Sequence, residues 1–372
     1  MTQDTSLVFK LYTLSPTSPI CGARVTVIHR GDSVEHILYS DASGMTSPLA
    51  LYAPPADASP PYSLYDASVE AQGYSRVIIK GIQLFEGVEE LSVIELTALS
   101  HTAFPEENAI IPPLSLADFA AEGEASAINS LYIPETVTVH LGLSTAPSAP
   151  NAVVDFRDYI KNVVSCSTYP TWSEAALRAN ILLHTSFALG RICSLHYPRL
   201  GYAFDLTNNP AEDLLFVPRQ SISAKVNRLA DECFGEYLCT ADSRAPALAR
   251  PRCSPRQTEE MAQRGYSLLN ILRACCDGNV ELAEIEDIRA LRRPYGGVPL
   301  HLGDSSSSVR ALKRQLNHIR GQYPVIPLIT SVDNDFTAET ERAVKAFRRI
   351  SLLPPGDVVD KATWYAINMW RI

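Results

Sequence analysis

The hydrophobic pattern of this chain changes period once, and that change limits the folds open to it. Between residues 5 and 98 the apolar positions alternate, as at Val25 and Val27 and in the β-branched run Val77-Ile78-Ile79, which is the pattern of half-buried strands. From about Val153 the pattern turns helical, and Ala176, Ile181, Leu183, Phe187, Leu189 and Ile192 supply the apolar material of one long helix. One core cannot serve both patterns over 372 residues. The fold class expected is therefore multi-domain α+β: an N-terminal antiparallel β-sandwich, a middle α+β domain and a C-terminal three-helix domain.

Punctuation residues divide the chain further. Asp41-Ala42-Ser43-Gly44 can bend with its glycine left-handed, and Pro54-Pro55 and Pro60-Pro61 interrupt any regular ladder. Residues 99–131 are rich in Pro, Ala, Glu and Ser without a sustained period and read as a linker. This places the sandwich at 5–98, the middle domain at 132–290 and the last domain at 296–372. "ETVTVHLGL" opens the middle domain as a strand, and Ser173 is a candidate N-cap ahead of Glu174. Further helices are expected in "SAKVNRLADECFGEYL" and in "SPRQTEEMAQRGYSLLNILRACCDG", the second broken near Gly265. Thr337 and Asp360 are candidate N-caps of the last two helices.

Composition removes several function classes. Lys and Arg number 32 against 41 Asp and Glu, a net charge of −9, so neither duplex nucleic acid nor an anionic membrane is an expected partner. No apolar run reaches the length of a membrane span. The opening "MTQDTSLVFKLYTLSP" has no basic leader and no secretory apolar run, so synthesis in the cytoplasm is expected. The eight cysteines show no CxxC or Cys/His spacing. Cys233, Cys239 and Cys253 are the nearest approach to a zinc set, but small buried hydrophobes describe the cysteines better, and no metal is expected. No phosphate-cradling glycine loop appears, and no cofactor is expected. Ser165-Cys166-Ser167 would need a positioned imidazole to act as a nucleophile. His184 and His196 are both expected on the long helix, and His29 and His36 read as surface or packing residues.

Three stretches resemble known families. The turn "SDASGMTSPLAL" followed by "YDASVEAQGYSRVIIKGI" resembles the transthyretin-like or carboxypeptidase-regulatory sandwich, which implies a spacer or adhesive module. "LHLGDSSSSVRALKRQLNHI", "VDNDFTAETERAVKAFRRISLLP" and "GDVVDKATWYAI" resemble a peptidoglycan-binding domain of the three-helix type. Glycan recognition needs amides and hydroxyls beside an aromatic platform, and the residues of suitable chemistry are Tyr323, Asn334, Thr340, Arg348, Trp364 and Tyr365. Asn334, Thr337 and Asp360 stand where the family carries turn glycines. "VVDFRDYIKNVVSCSTYPTWSEAALRANILLHTSFAL", with Tyr159 and a Tyr-Pro-Thr-Trp corner, resembles the stage II sporulation protein D family of lytic transglycosylases, with fainter support from "GYAFDLTNNPAEDLLFVP". Together the three resemble peptidoglycan-binding proteins of endospore-forming bacteria.

In that family a Glu just ahead of the corner serves as acid and base, and the matching position here is Ser167. A hydroxyl cannot protonate a glycosidic oxygen at neutral pH. The family's His-Gly segment is also missing from "ARPRCSPRQTEEMAQRG". The resemblance thus implies a non-catalytic binder of peptidoglycan glycan strands in cell wall or spore cortex, with spore-coat or cell-wall proteins as further partners. The alternatives are an active enzyme with Glu174, Asp205 or Asp213 as a relocated acid, and a structural or adhesive spore-surface protein.

Overall fold

Nine strands of the N-terminal segment realise its alternating pattern in two sheets, one of which gains a fifth strand from Ile222–Ser223. The strands are β1 (Ser6–Leu14), β2 (Thr17–Pro19), β3 (Arg24–His29), β4 (Glu35–Tyr39), β5 (Leu49–Ala50), β6 (Tyr62–Glu70), β7 (Arg76–Phe85), β8 (Glu89–Glu95) and β9 (Glu106–Ile110). These assignments come from a computed structural model that describes residues 5–14, 17–99, 106–114, 131–241, 251–276, 279–285, 287–288, 298–351, 353 and 355–368. One sheet has the order β4-β3-β6-β7-β9; in the other, β1 pairs with β2, β5 and β8. Leu7, Phe9 and Leu11 from one sheet meet Val25, Val27, Val69, Val77 and Ile79 from the other in a single core. Each such side chain contributes roughly 1.5–3 kcal/mol by leaving water.

Two details differ from the expectation. β1 runs parallel to β8 and β7 parallel to β9, among otherwise antiparallel pairs. The second of these pairs also places β9 inside the stretch read as linker. Its Glu-Glu-Asn-Ala-Ile sequence lies at a sheet edge with alternate residues exposed, so no apolar run marks it. Of that stretch, residues 100–105 and 115–130 lie outside the described residues. Gly44 does turn left-handed, at φ +74°, where a Cβ would fall 2.3 Å from the Leu11 carbonyl. Asp41 Oδ1 fixes the same turn by accepting from the Ser43 and Met45 amides.

The helical pattern begins after β10 (Thr136–His140) and β11 (Asn151–Asp155). It comprises α1 (Phe156–Ser165), α2 (Glu174–Cys193) and α3 (His196–Arg199), followed by β12 (Leu206–Thr207), β13 (Ile222–Ser223), α4 (Ala224–Glu232), β14 (Glu236–Thr240), α5 (Pro255–Gln263), α6 (Leu268–Cys275) and β15 (Val280–Glu284). β10 lies between β11 and β12, and β14 pairs with β15. Ser173 caps α2 by accepting from the Ala176 amide. α2 is buried on nearly every side, and α1, α5 and α6 pack against it. Gly265, at φ +83°, separates α5 from α6. His184 lies on α2, but His196 opens α3 because the chain turns at Leu195 with a left-handed φ of 53°.

Three helices close the chain: α7 (Ser307–Arg320), α8 (Ala338–Ile350) and α9 (Lys361–Asn368). Val309, Leu312, Leu316 and Ile319 of α7 are buried, as are Val344, Phe347 and Ile350 of α8. The whole is a multi-domain α+β protein. Its chain divides into two compact units, Met1–Pro113 with Pro218–Arg228 and Tyr295–Ile372 forming the first, and Leu114–Val217 with Leu229–Pro294 the second. Within the first unit, β13 pairs antiparallel with β8, Ile222 opposite Leu91 and Ser223 opposite Glu90. The same unit holds the α7–α9 bundle, and Ser18 Oγ donates to Gln322 Oε1 at 2.9 Å.

Candidate functional site

The C-terminal bundle is organised by buried polar braces. Lys313 has no exposed side-chain surface, and its Nζ donates to the Ser331 carbonyl at 3.2 Å and Asp333 Oδ1 at 2.7 Å. That ammonium, with Ser331 and the Asp335 amide, holds the Asp333 carboxyl well below the usual carboxylate range. Arg348 Nη1 donates to the Val358 carbonyl at 2.9 Å, Asp360 Oδ2 at 3.1 Å and Thr363 Oγ1 at 2.5 Å. Asp360 Oδ1 in turn accepts from the Thr363 amide at 2.8 Å, capping α9.

These braces correct the expected set of glycan contacts. Arg348, Thr340, Trp364 and Tyr323 are all buried and offer the polymer almost no surface. Arg348 is occupied as a latch between α8 and α9. Tyr323 lies beneath Lys10, whose Nζ is 5.8 Å from its ring centre, and burial pushes its phenol up to about 12. Trp364 is a core residue of α9. The Tyr365 side chain lies outside what is described. Asn334 alone of the described five is exposed. It sits where Ser305 bridges Asp335 and where the Ser306 amide donates to the Asn334 carbonyl. Exposed Ser305, Asn334 and Asp335, with Leu302 at 57% exposure, make a polar ledge with an apolar margin. Asn334, Thr337 and Asp360 all avoid the left-handed region, so the missing family glycines leave no strain.

In the second unit, Ser167 follows the end of α1, and its hydroxyl donates back to the Val163 carbonyl at 2.9 Å. Its proton is thus committed to the helix. Glu174 is exposed in the first turn of α2. Asp205 fastens β12 to β10 by accepting from the Thr138 amide at 2.8 Å. Asp213 is fully buried, 3.1 Å from Arg191 Nε, and its Oδ2 accepts from Tyr197 Oη, the Thr207 amide and Thr207 Oγ1 at 2.6–2.9 Å. A carboxylate so surrounded is fixed in place as a structural brace. Tyr159 is buried against Phe216, with ring centres 5.8 Å apart.

Sequence reasoning missed Glu259. It reaches from α5 to the end of the Tyr-Pro-Thr-Trp corner, where Oε2 accepts from the Ser173 amide at 3.0 Å and from Ser173 Oγ at 2.8 Å, while Oε1 accepts from Gln263. A negative charge at the N-terminus of α2 is favourable there, and these donors describe a helix brace. Its separation of 86 residues from Ser173 hid it.

A cleft of about 450 Å³ in the N-terminal sheets was missed as well. Its walls include His29, Asp32, His36, Tyr52 and Tyr65. No group of three or more His, Cys, Asp or Glu suited to a metal occurs among the described residues, and none of their helices is long and apolar enough to cross a membrane.

Comparison with known proteins places one family on this frame. Residues 305–367 match the model of the family described as "Putative peptidoglycan binding domain", the stretch that holds α7 to α9. Among curated proteins no match is found. Among solved structures, a 5-hydroxyisourate hydrolase of Klebsiella pneumoniae is similar at 18% identity and a TM-score of 0.19, over 26% of this chain and 94% of that one. Catechol 1,2 dioxygenase of Acinetobacter radioresistens is similar at 12% identity and a TM-score of 0.18, over 29% of this chain and 58% of that one. These two likenesses carry no statement about function.

Proposed function

We propose that this protein binds the glycan strands of peptidoglycan and does not cleave them. The observation that carries the reading is the peptidoglycan-binding family match over 305–367, which coincides with the three-helix bundle. The polymer contact falls on the ledge around Asn334, where exposed hydroxyl, amide and carboxylate groups adjoin Leu302. The second unit is a transglycosylase-like module without its reaction, a reading supported by the bonding of each candidate acid. The Ser167 hydroxyl is tied to α1, Asp205 is tied to β10 and Asp213 is locked by Arg191. Glu174 is exposed in the first turn of α2, a position where an acid suits the helix N-terminus. The sandwich serves as a rigid support for the bundle, and the location is the cell wall or spore cortex.

Co-sedimentation with insoluble peptidoglycan tests this, using peptide-bearing and peptide-stripped polymer and analysing the supernatant for released fragments. Pelleting without fragments is expected, weakened by Asn334→Ala. Released fragments would restore the enzyme reading. No pelleting on either polymer would overturn the binding reading.

A further inference from the structure

We propose that the cleft between the β3–β4 turn and the loop after β5 is a second sugar-binding site, one that takes a single neutral saccharide ring. The inference rests on the glycan-binding reading and extends it to a part of the chain outside the family match over 305–367.

The argument starts from Tyr52, which is 65% exposed. A large aromatic side chain left in water at the mouth of a cleft is a surface looking for an apolar face. Its backbone is fixed, because buried Tyr65 donates its hydroxyl to the Tyr52 carbonyl at 2.9 Å. Tyr65 is itself held against the His29 ring, with centres 4.8 Å apart. The β3–β4 turn then supplies the polar rim. Asp32 Oδ1 meets His29 Nδ1 at 2.9 Å and accepts from the Val34 amide at 3.1 Å, so the described bonds of this carboxylate run through one oxygen and leave Oδ2 to accept from a ligand. The tip of the turn is Ser33 at φ +59°, a left-handed conformation that few serines adopt. A Cβ on Gly31 beside it would lie 2.8 Å from the His29 ring, so a larger residue there would displace the imidazole. Register brings His36 of β4 opposite Val27 of β3, adding a second imidazole to the same wall.

The chemistry of the walls selects the ligand. The cleft's volume lies within the roughly 300–1,000 Å³ usual for small-ligand sites. Among the described residues no Lys or Arg lines it, while a carboxylate does, which disfavours a phosphate or carboxylate ligand. A pyranose ring offers an apolar C–H face to Tyr52 and hydroxyl or acetamido groups to Asp32, His29 and His36. The cleft and the α7–α9 bundle belong to the same compact unit. Two weak sugar sites on one body gain avidity on a repeating polymer without new contacts.

The test uses the full chain and soluble oligomers of N-acetylglucosamine, titrated by calorimetry, with Tyr52→Ala, Asp32→Asn and Asn334→Ala. Wild type is expected to bind the oligomer, and Tyr52→Ala and Asp32→Asn each to weaken it at least tenfold while melting with the wild type. Absence of oligomer binding by the wild type, or unchanged binding by both cleft variants, would overturn the proposal. If the protein fails to pellet with peptidoglycan yet binds oligomer in a Tyr52-dependent way, the glycan-polymer reading fails and the cleft stands. If it pellets and only Asn334→Ala weakens it, the reading stands and the cleft is lost.

Discussion

Replacing Glu90 by glutamine is expected to flatten the dependence of stability on pH. Glu90 lies on β8 opposite Ser223 of β13, and burial pushes its carboxyl from 4.5 up to about 8 against the opposing hydrogen bond from Ser221. Between those values the folded chain holds a proton that the unfolded chain has released. Stability therefore falls as pH rises across the interval, by about 1.4 kcal/mol per pH unit. At pH 7 the loss relative to the low end is about 3 kcal/mol, and across the whole window about 5 kcal/mol. Glutamine removes this loss but brings an amide donor to a place where Oε2 has no hydrogen-bond partner, at a cost of about 1 kcal/mol. The net gain at pH 7 is about 2 kcal/mol, or about 4–8 °C in Tm for a cooperative unit of 150–250 residues. Thermal melts of both proteins at pH 5, 6, 7 and 8 measure it, with the variant no better than wild type at pH 5 and ahead from pH 7. Parallel curves for the two proteins would refute the reasoning, because the slope would then belong to another group.

Arg348→Met breaks a buried latch whose partner Asp360 is partly in water, so the cost falls at the lower end of the range for such pairs, about 3 kcal/mol. It is expected to lower Tm while the folded fraction keeps its affinity for peptidoglycan; a variant that melts normally and no longer pellets would make Arg348 a glycan contact. Asp213→Asn leaves the Arg191 guanidinium uncompensated and should cost about 3–5 kcal/mol in urea unfolding. Unchanged stability would show that the carboxylate is not a brace. Native thiol titration should label exposed Cys21 first, and leave Cys166 and Cys233 unreacted until unfolding, since burial raises them to about 12 and about 11. Rapid labelling of either would contradict their burial.

The local periods were legible. Val309, Leu312, Leu316 and Ile319 announce α7 because a helix needs only its own face to be apolar, and the Asp41–Gly44 turn announces itself through residues that make the turn. Long-range placement was not legible. β13 is two residues long and carries no period, so nothing in Ile222-Ser223 shows that it completes a sheet begun by residue 6. Residue type also failed to separate platform from core: Trp364 and Tyr323 have the chemistry of a sugar platform, but their apolar area is used inside. Arg348 finds its acceptors 10 to 15 residues away, on a loop and on α9. His29 and His36 became neighbours of Tyr52 only through strand register and a loop from the other sheet.

The first unit is stitched from three separated stretches of chain, and this fixes the order in which a ribosome can deliver a finished molecule. Strands β1 to β9 emerge early, but the partner of β8 follows more than a hundred residues later, and α7 to α9 come last. Until then β8 presents an unpaired edge and Lys10 has no Tyr323 to cover. Such distant closures fold slowly, and an open edge in the interval invites pairing with a neighbouring nascent chain. A product that stops short of Ile222 is expected to be lost to aggregation even though β1 to β9 are all present.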